Sequence, residues 1–177
     1  MPILGTIASS TRQGLTSFES IATPTISGSA NFVDFNSIPA IYKNLQIRFS
    51  IVASATNSDI TLIFNSDSTS NYTYHELRGT GSTVIASGNG AMSFAYLASN
   101  ATDATYPCVG IVDIFDYADT NKKTTLRTLS GKDTNGGGTL QMMTGVYKST
   151  STITSMRLDC GTTIATTSKI ALYGIKG

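Results

Sequence analysis

Apolar and polar residues alternate along almost the whole chain, and no window of a dozen residues keeps the 3.6-residue period of an amphipathic helix. "NLQIRFSIVA" sets Leu45, Ile47, Phe49 and Ile51 on one side and Gln46, Arg48 and Ser50 on the other. "DITLIFN" repeats the pattern with Ile60, Leu62 and Phe64, and "GAMSFAYLA" with Met92, Phe94 and Tyr96. A two-residue repeat belongs to strands with one covered face, so the chain is predicted to be all-β. "YPCVGIVDIFDY" is apolar on both sides apart from Asp113 and Asp116, which predicts a strand in the middle of a sheet. "SFESIATPTI", "ANFVDFNSI", "TTLRTLSG", "LQMMTGVYK", "ITSMRLDCG" and "KIALYGIK" are further strands. Pro24 cannot donate to a ladder and demotes its segment to an edge or an interrupted strand.

The runs between these strands carry turn chemistry: "NSDSTSN", "RGTGS", "ASGNGA", "SNATDAT", "DYADTNKK", "KDTNGGGT" and "KSTST". About nine to eleven short strands at such spacing predict a single-domain β-sandwich, jelly-roll-like, over residues 17–177. No long polar linker and no fixed-period repeat divides the chain. The C-terminal "KIALYGIKG" reads as a strand held inside a sheet, with Ile170 and Leu172 on one side and Tyr173 and Ile175 on the other. Burying four such side chains stabilises by roughly 1.5–3 kcal/mol each, comparable in sum to a domain's whole net stability.

Composition narrows the partners. The 177 residues carry a net charge of +1, and 13% are charged, about half the roughly 25% of an average domain. With hydrophobic content at 40%, disorder is excluded, and the outward faces are expected to bear hydroxyls rather than ions. The 12 Lys and Arg are scattered, and the nearest cluster is Lys122 and Lys123 with Arg127 and Lys132 beyond. That is no basic face, so no nucleic-acid partner is expected. The opening "MPILGTIASSTRQGLTS" has neither the basic n-region nor the apolar run of a signal peptide, and no stretch approaches the ~20 apolar residues of a membrane span. The expectation is synthesis in a reducing host cytoplasm, with no membrane partner. Cys108 and Cys160 share strand parity with Val112 and Ile114, and with Met156 and Leu158, and are expected as buried free thiols.

No catalytic constellation emerges. His75, in "NYTYHELRG", is the one histidine, which excludes multi-histidine metal sites and leaves one candidate general base. A dyad with Cys108 or Cys160 would arise only by accident of folding, and no G-x-S-x-G elbow is present. Asp113 and Asp116 would point to opposite faces of a strand and do not pair as acid and base. Asp116, Asp119 and Asn121 in "DYADTN" have the oxygen ligands of a calcium loop without its spacing, and a solvated turn accounts for them. "KDTNGGGT" lacks the Lys-Ser or Lys-Thr of a phosphate loop and reads as a hairpin tip. Tyr72 and Tyr74 are candidates for a sugar-stacking platform, although cross-strand aromatics also simply stabilise sheets. No enzyme activity, cofactor or metal is expected.

"SFESIAT", "NSIPAIYKNLQIRFSI", "LIFNSDSTSNYTYHELRGTGS" and "SKIALYGIKG" together resemble a family of small virion proteins common among tailed bacteriophages. The shared frame is S-F-E-S-I-A, I-P-x-x-Y-x-x-L-Q-I-R, F-N-x-D-x-x-x-N-Y and a terminal L-Y-G-I, spanning Ser17 to Gly177. Ser66 stands where the frame leads one to expect glycine. The resemblance implies a β-structured component of the particle exterior. The first reading is a capsid decoration or cement protein that binds the major capsid protein and self-associates, a trimer by analogy. The alternative is a tail or tail-fibre component that binds host-surface polysaccharide. Residues 1–16, with Ile3, Leu4, Ile7 and Leu15 and Arg12 as the sole charge, read either as an extended arm docking on a neighbouring subunit or as a first strand.

Overall fold

The computed structural model describes residues 17–55, 59–99 and 105–177. The proposed arm or first strand over residues 1–16 lies outside them. All the regular structure described is strand, as the alternation demands: β1 (Phe18–Ala22), β2 (Phe32–Phe35), β3 (Asn44–Ile51), β4 (Asp59–Phe64), β5 (Tyr72–Gly79), β6 (Val84–Met92), β7 (Ala95–Ser99), β8 (Cys108–Phe115), β9 (Thr124–Asp133), β10 (Gly138–Tyr147), β11 (Met156–Asp159) and β12 (Lys169–Ile175). Twelve strands among the described residues exceed the nine to eleven expected. The excess arises at "VIASGNGAM", read from its glycines and serines as a turn but paired along its length with β5 as an exposed edge strand.

The strands form two antiparallel sheets of unequal size. The larger has the order β1-β12-β3-β8-β9-β10-β5-β6, the smaller β2-β11-β4-β7. β8 is central, as expected, and β1 is an edge strand that stops at Ala22, before Pro24. β12 lies between β1 and β3, so "KIALYGI" is clamped on both sides. Ile170 and Leu172 point into the core while Tyr173 and Ile175 lie half-buried on the other face.

Between the sheets sits an apolar core. β3 supplies Leu45, Ile47 and Ile51, β4 supplies Ile60, Leu62 and Phe64, and all six are fully buried. Gly110 on β8 is required here, because the tip of the Phe49 ring abuts it and a Cβ would come within 2.3 Å of that ring. The expected face of "GAMSFAYLA" is corrected. β6 ends at Met92, the chain breaks direction at Ser93 and Phe94, and β7 restarts in the other sheet. Ala95, Leu97 and Ala98 are therefore buried, and Met92, Phe94 and Tyr96 only half so.

The turn in "FNSDSTSNY" is built on Asp67. Its carboxylate accepts the Thr69 N–H (2.9 Å), the Thr69 hydroxyl (2.5 Å), the Asn71 amide (2.8 Å) and the Tyr147 hydroxyl (2.9 Å). These donors, the Thr69 hydroxyl foremost, hold the Asp67 carboxyl well below the ordinary carboxylate range. Ser66 has φ of 59°, the left-handed conformation that glycine adopts without strain, which explains why glycine is the natural expectation there.

Candidate binding surface

His75 is on the outer face of the large sheet, its ring close against Gly88, where a Cβ would approach to 2.7 Å. Cys108 and Cys160 are buried thiols on the inner side. Burial pushes them up to about 11 and about 12, so both stay protonated at neutral pH. His75 and Cys108 thus lie on opposite faces of one sheet, and no dyad forms. Asp116 binds Lys43 (3.0 Å) and Lys122 (3.4 Å), and the Lys43 contact is the main cause holding its carboxyl below the usual range. Asp119 is held low chiefly by the Asn121 N–H (2.9 Å) and faces Lys122 at 3.6 Å. These carboxylates are neutralised by lysines rather than converging on a cavity, and among the described residues no group of three or more potential metal ligands assembles.

The tyrosine platform is not assembled. Tyr72 is fully buried, stacked on Tyr147 at 4.9 Å and packed against Phe64 at 6.0 Å. Tyr74 is half-buried, edge-on to Tyr96 at 5.7 Å. Parity explains both: Tyr72, Tyr74 and Glu76 share the inward side of β5. Glu76 is buried there with partners, accepting from Ser87 Oγ (2.8 Å) and Gln141 Nε2 (3.3 Å), while Gln141 also donates to Tyr96 (3.1 Å).

What the sequence did not reveal is the outer face of the large sheet. Cross-strand register places Leu77, Met142, Leu129 and Ile111 side by side in one row across β5, β10, β9 and β8. The adjacent row carries Val84, Leu140 and Val109, with Gly79 and Gly131 between them. These seven large apolar side chains are 42–75% exposed. On the other side of the first row runs a polar row. Arg127 binds Asp113 at 2.7 Å, Gln46 donates to Asp113 at 2.7 Å, and Arg48 donates to Gln46 at 2.7 Å. The two kinds of row border a shallow trough of about 680 Å³, lined by Leu77, Ile111, Leu129 and Met142 with His75 and Arg127. A signal existed in the sequence: adjacent Met142 and Met143, and Leu126 and Leu129 three apart, must put apolar side chains on both faces of their strands.

The small sheet differs. On its outer side Arg157 forms a bidentate pair with Asp34 (2.7 and 2.9 Å) and lies 3.7 Å from the Phe32 ring centroid.

An all-β, two-sheet protein with an open apolar face and no assembled reactive centre among its described residues is the class that fold and surface define. No family model matches the chain, and no curated protein matches it. A crystal structure of a protein of unknown function from Shewanella oneidensis MR-1 is similar over 90% of this chain and 76% of that one, at 9% identity and a TM-score of 0.23. A likeness that slight carries no argument.

Proposed function

We propose that the protein is a structural component of a tailed-bacteriophage particle, a decoration or cement protein on the exterior of the head that binds the major capsid shell. The motif frame over residues 17–177 supports the family reading. The observation that carries the role is the apolar outer face of the large sheet. Contiguous apolar surface on a protein of this size marks association with another macromolecule. The groups that could turn over a substrate are separated by the sheet itself or neutralised in pairs, which favours adhesion over catalysis. Low charge adds to this, since a hydroxyl-rich surface meets a neighbour with little desolvation of ions.

The test is binding of the purified chain to capsids that lack it, followed by a reconstruction of the decorated particle. Density for this chain over the shell, at a copy number near that of the shell subunit, is the expected result. Failure to bind, or occupancy confined to the tail, overturns the decoration role, and the second outcome supports the tail or fibre reading instead.

A further inference from the structure

We propose that the outer face of the eight-stranded sheet is the interface of a two-fold homodimer, with the axis parallel to the strands and passing between β9 and β10. The inference deepens the virion reading: it gives the apolar face that marks the protein as an assembly component to a second copy, and leaves the contact with the shell to the side of the small sheet.

Under that axis β9 of one copy faces β10 of the other, β8 faces β5, and β3 faces β6. Each cross-strand row then lies over the same row of the second copy. In the first row Leu129 meets Met142 and Ile111 meets Leu77, so all four large side chains find apolar partners. In the adjacent row large meets small: Leu140 faces Gly131 and Val109 faces Gly79. Nothing stands within 4 Å of the point where a Gly79 Cβ would be, so there is room for the incoming valine. In the polar row Asp113, already bridged to Arg127 of its own chain, faces His75, and Arg127 faces Thr144, so polar groups meet polar groups.

Neighbouring positions of the axis fit less well. Moved one strand toward β8, it sets Met142 against Arg48, whose guanidinium already stacks on Phe18 and Tyr173 at 5.4 and 5.3 Å. Moved one strand toward β5, it leaves Ile111 and Val109 uncovered. Extent agrees with the choice. Six facing strands about 4.8 Å apart and about eight residues long, at roughly 3.3 Å each, make a patch of ~750 Å². Stable interfaces of standard size bury about 800 Å² per partner. A second copy of this sheet therefore matches the face in area and in row-by-row polarity. The pairing leaves the Asp34–Arg157 face of each small sheet directed away from the axis and open to other subunits.

The experiment is sedimentation equilibrium of the full chain at micromolar concentration. A dimer is expected for the wild type. Leu129→Lys and Met142→Glu, both at exposed positions, should each keep the wild-type far-UV spectrum and weaken the dimer at least about thirtyfold. Mixing the two variants should restore dimers, because the introduced lysine of one chain then faces the introduced glutamate of the other while the second Leu129–Met142 contact stays native. Ile41→Lys, at an exposed position outside the two rows, should leave the dimer unchanged. A wild type that is monomeric or trimeric, or a Leu129→Lys variant that stays fully dimeric, overturns the interface. Variants that stay monomeric when mixed overturn the position of the axis. None of these outcomes depends on whether the protein binds capsids.

Discussion

Removing one oxygen from Tyr72 should destabilise the protein by about 3 kcal/mol. The Tyr72 hydroxyl accepts the Phe64 N–H at 2.9 Å inside the core and donates to the part-buried Asp67 carbonyl at 2.9 Å. Tyr72→Phe keeps the ring and its stacking on Tyr147, so the packing contribution is unchanged. It leaves a buried backbone N–H without a partner, which costs about 1–3 kcal/mol, and forfeits a second bond worth about 0.5–1.5 kcal/mol. The expected loss of roughly 1.5–4.5 kcal/mol is a large part of a net stability of about 5–15 kcal/mol. At about 2.1 cal/mol/K per residue, 177 residues give an unfolding entropy of about 0.37 kcal/mol/K, so the melting temperature should fall by about 8 °C. Guanidinium titration followed by circular dichroism measures the loss, and the m-value should not change. A loss under about 0.5 kcal/mol would refute the reasoning, because it would mean that water or a relaxed turn satisfies Phe64 as well as the phenol does.

Deleting residues 169–177 removes the strand between β1 and β3 and should give insoluble or unfolded protein; a soluble product with the wild-type spectrum contradicts this. The Asp67 carboxyl is held low by its donors, so its contribution is present above the ordinary carboxylate range and is lost as pH falls, the unfolded chain taking up the proton first. Stability measured from about pH 6 downward should therefore decline below about pH 4 more steeply in the wild type than in Asp67→Asn. Ser66→Gly relieves a left-handed φ of 59° and should raise stability by up to about 1 kcal/mol; a decrease in the denaturation midpoint would count against strain at that turn.

The parts of the fold legible in the sequence were those where one face is buried along a whole strand. β3 and β4 follow their alternation residue for residue, because burying Leu45, Ile47, Ile51, Ile60, Leu62 and Phe64 leaves no other register open. β6 was not legible: its residues are nearly all exposed, so no apolar period marks it, and β5 supplies the ladder that overrides its glycines. The outer face was missed for a related reason. On β9 and β10 the inward positions include Thr128, Ser130 and Gln141, whereas Leu129, Leu140 and Met142 point outward. Ser130 is accommodated inside by bonding to the Leu97 carbonyl at 2.9 Å, a contact between sheets that strand parity alone does not foretell. Turn residues gave the Asp67 loop its place, but not the rings that close over it.

The insertion of β12 between β1 and β3 has a consequence for biosynthesis. β3 is made early, yet its neighbour on one side is translated only after every other described strand. Until then an eight-residue strand with one apolar side keeps one unpaired edge, the kind of edge on which nascent chains cross-pair. The large sheet is thus zipped shut late, at the corner where Lys176 reaches Glu19. Gly177 itself lies against Lys43, just ahead of β3, so bulk attached beyond it would crowd that same seam.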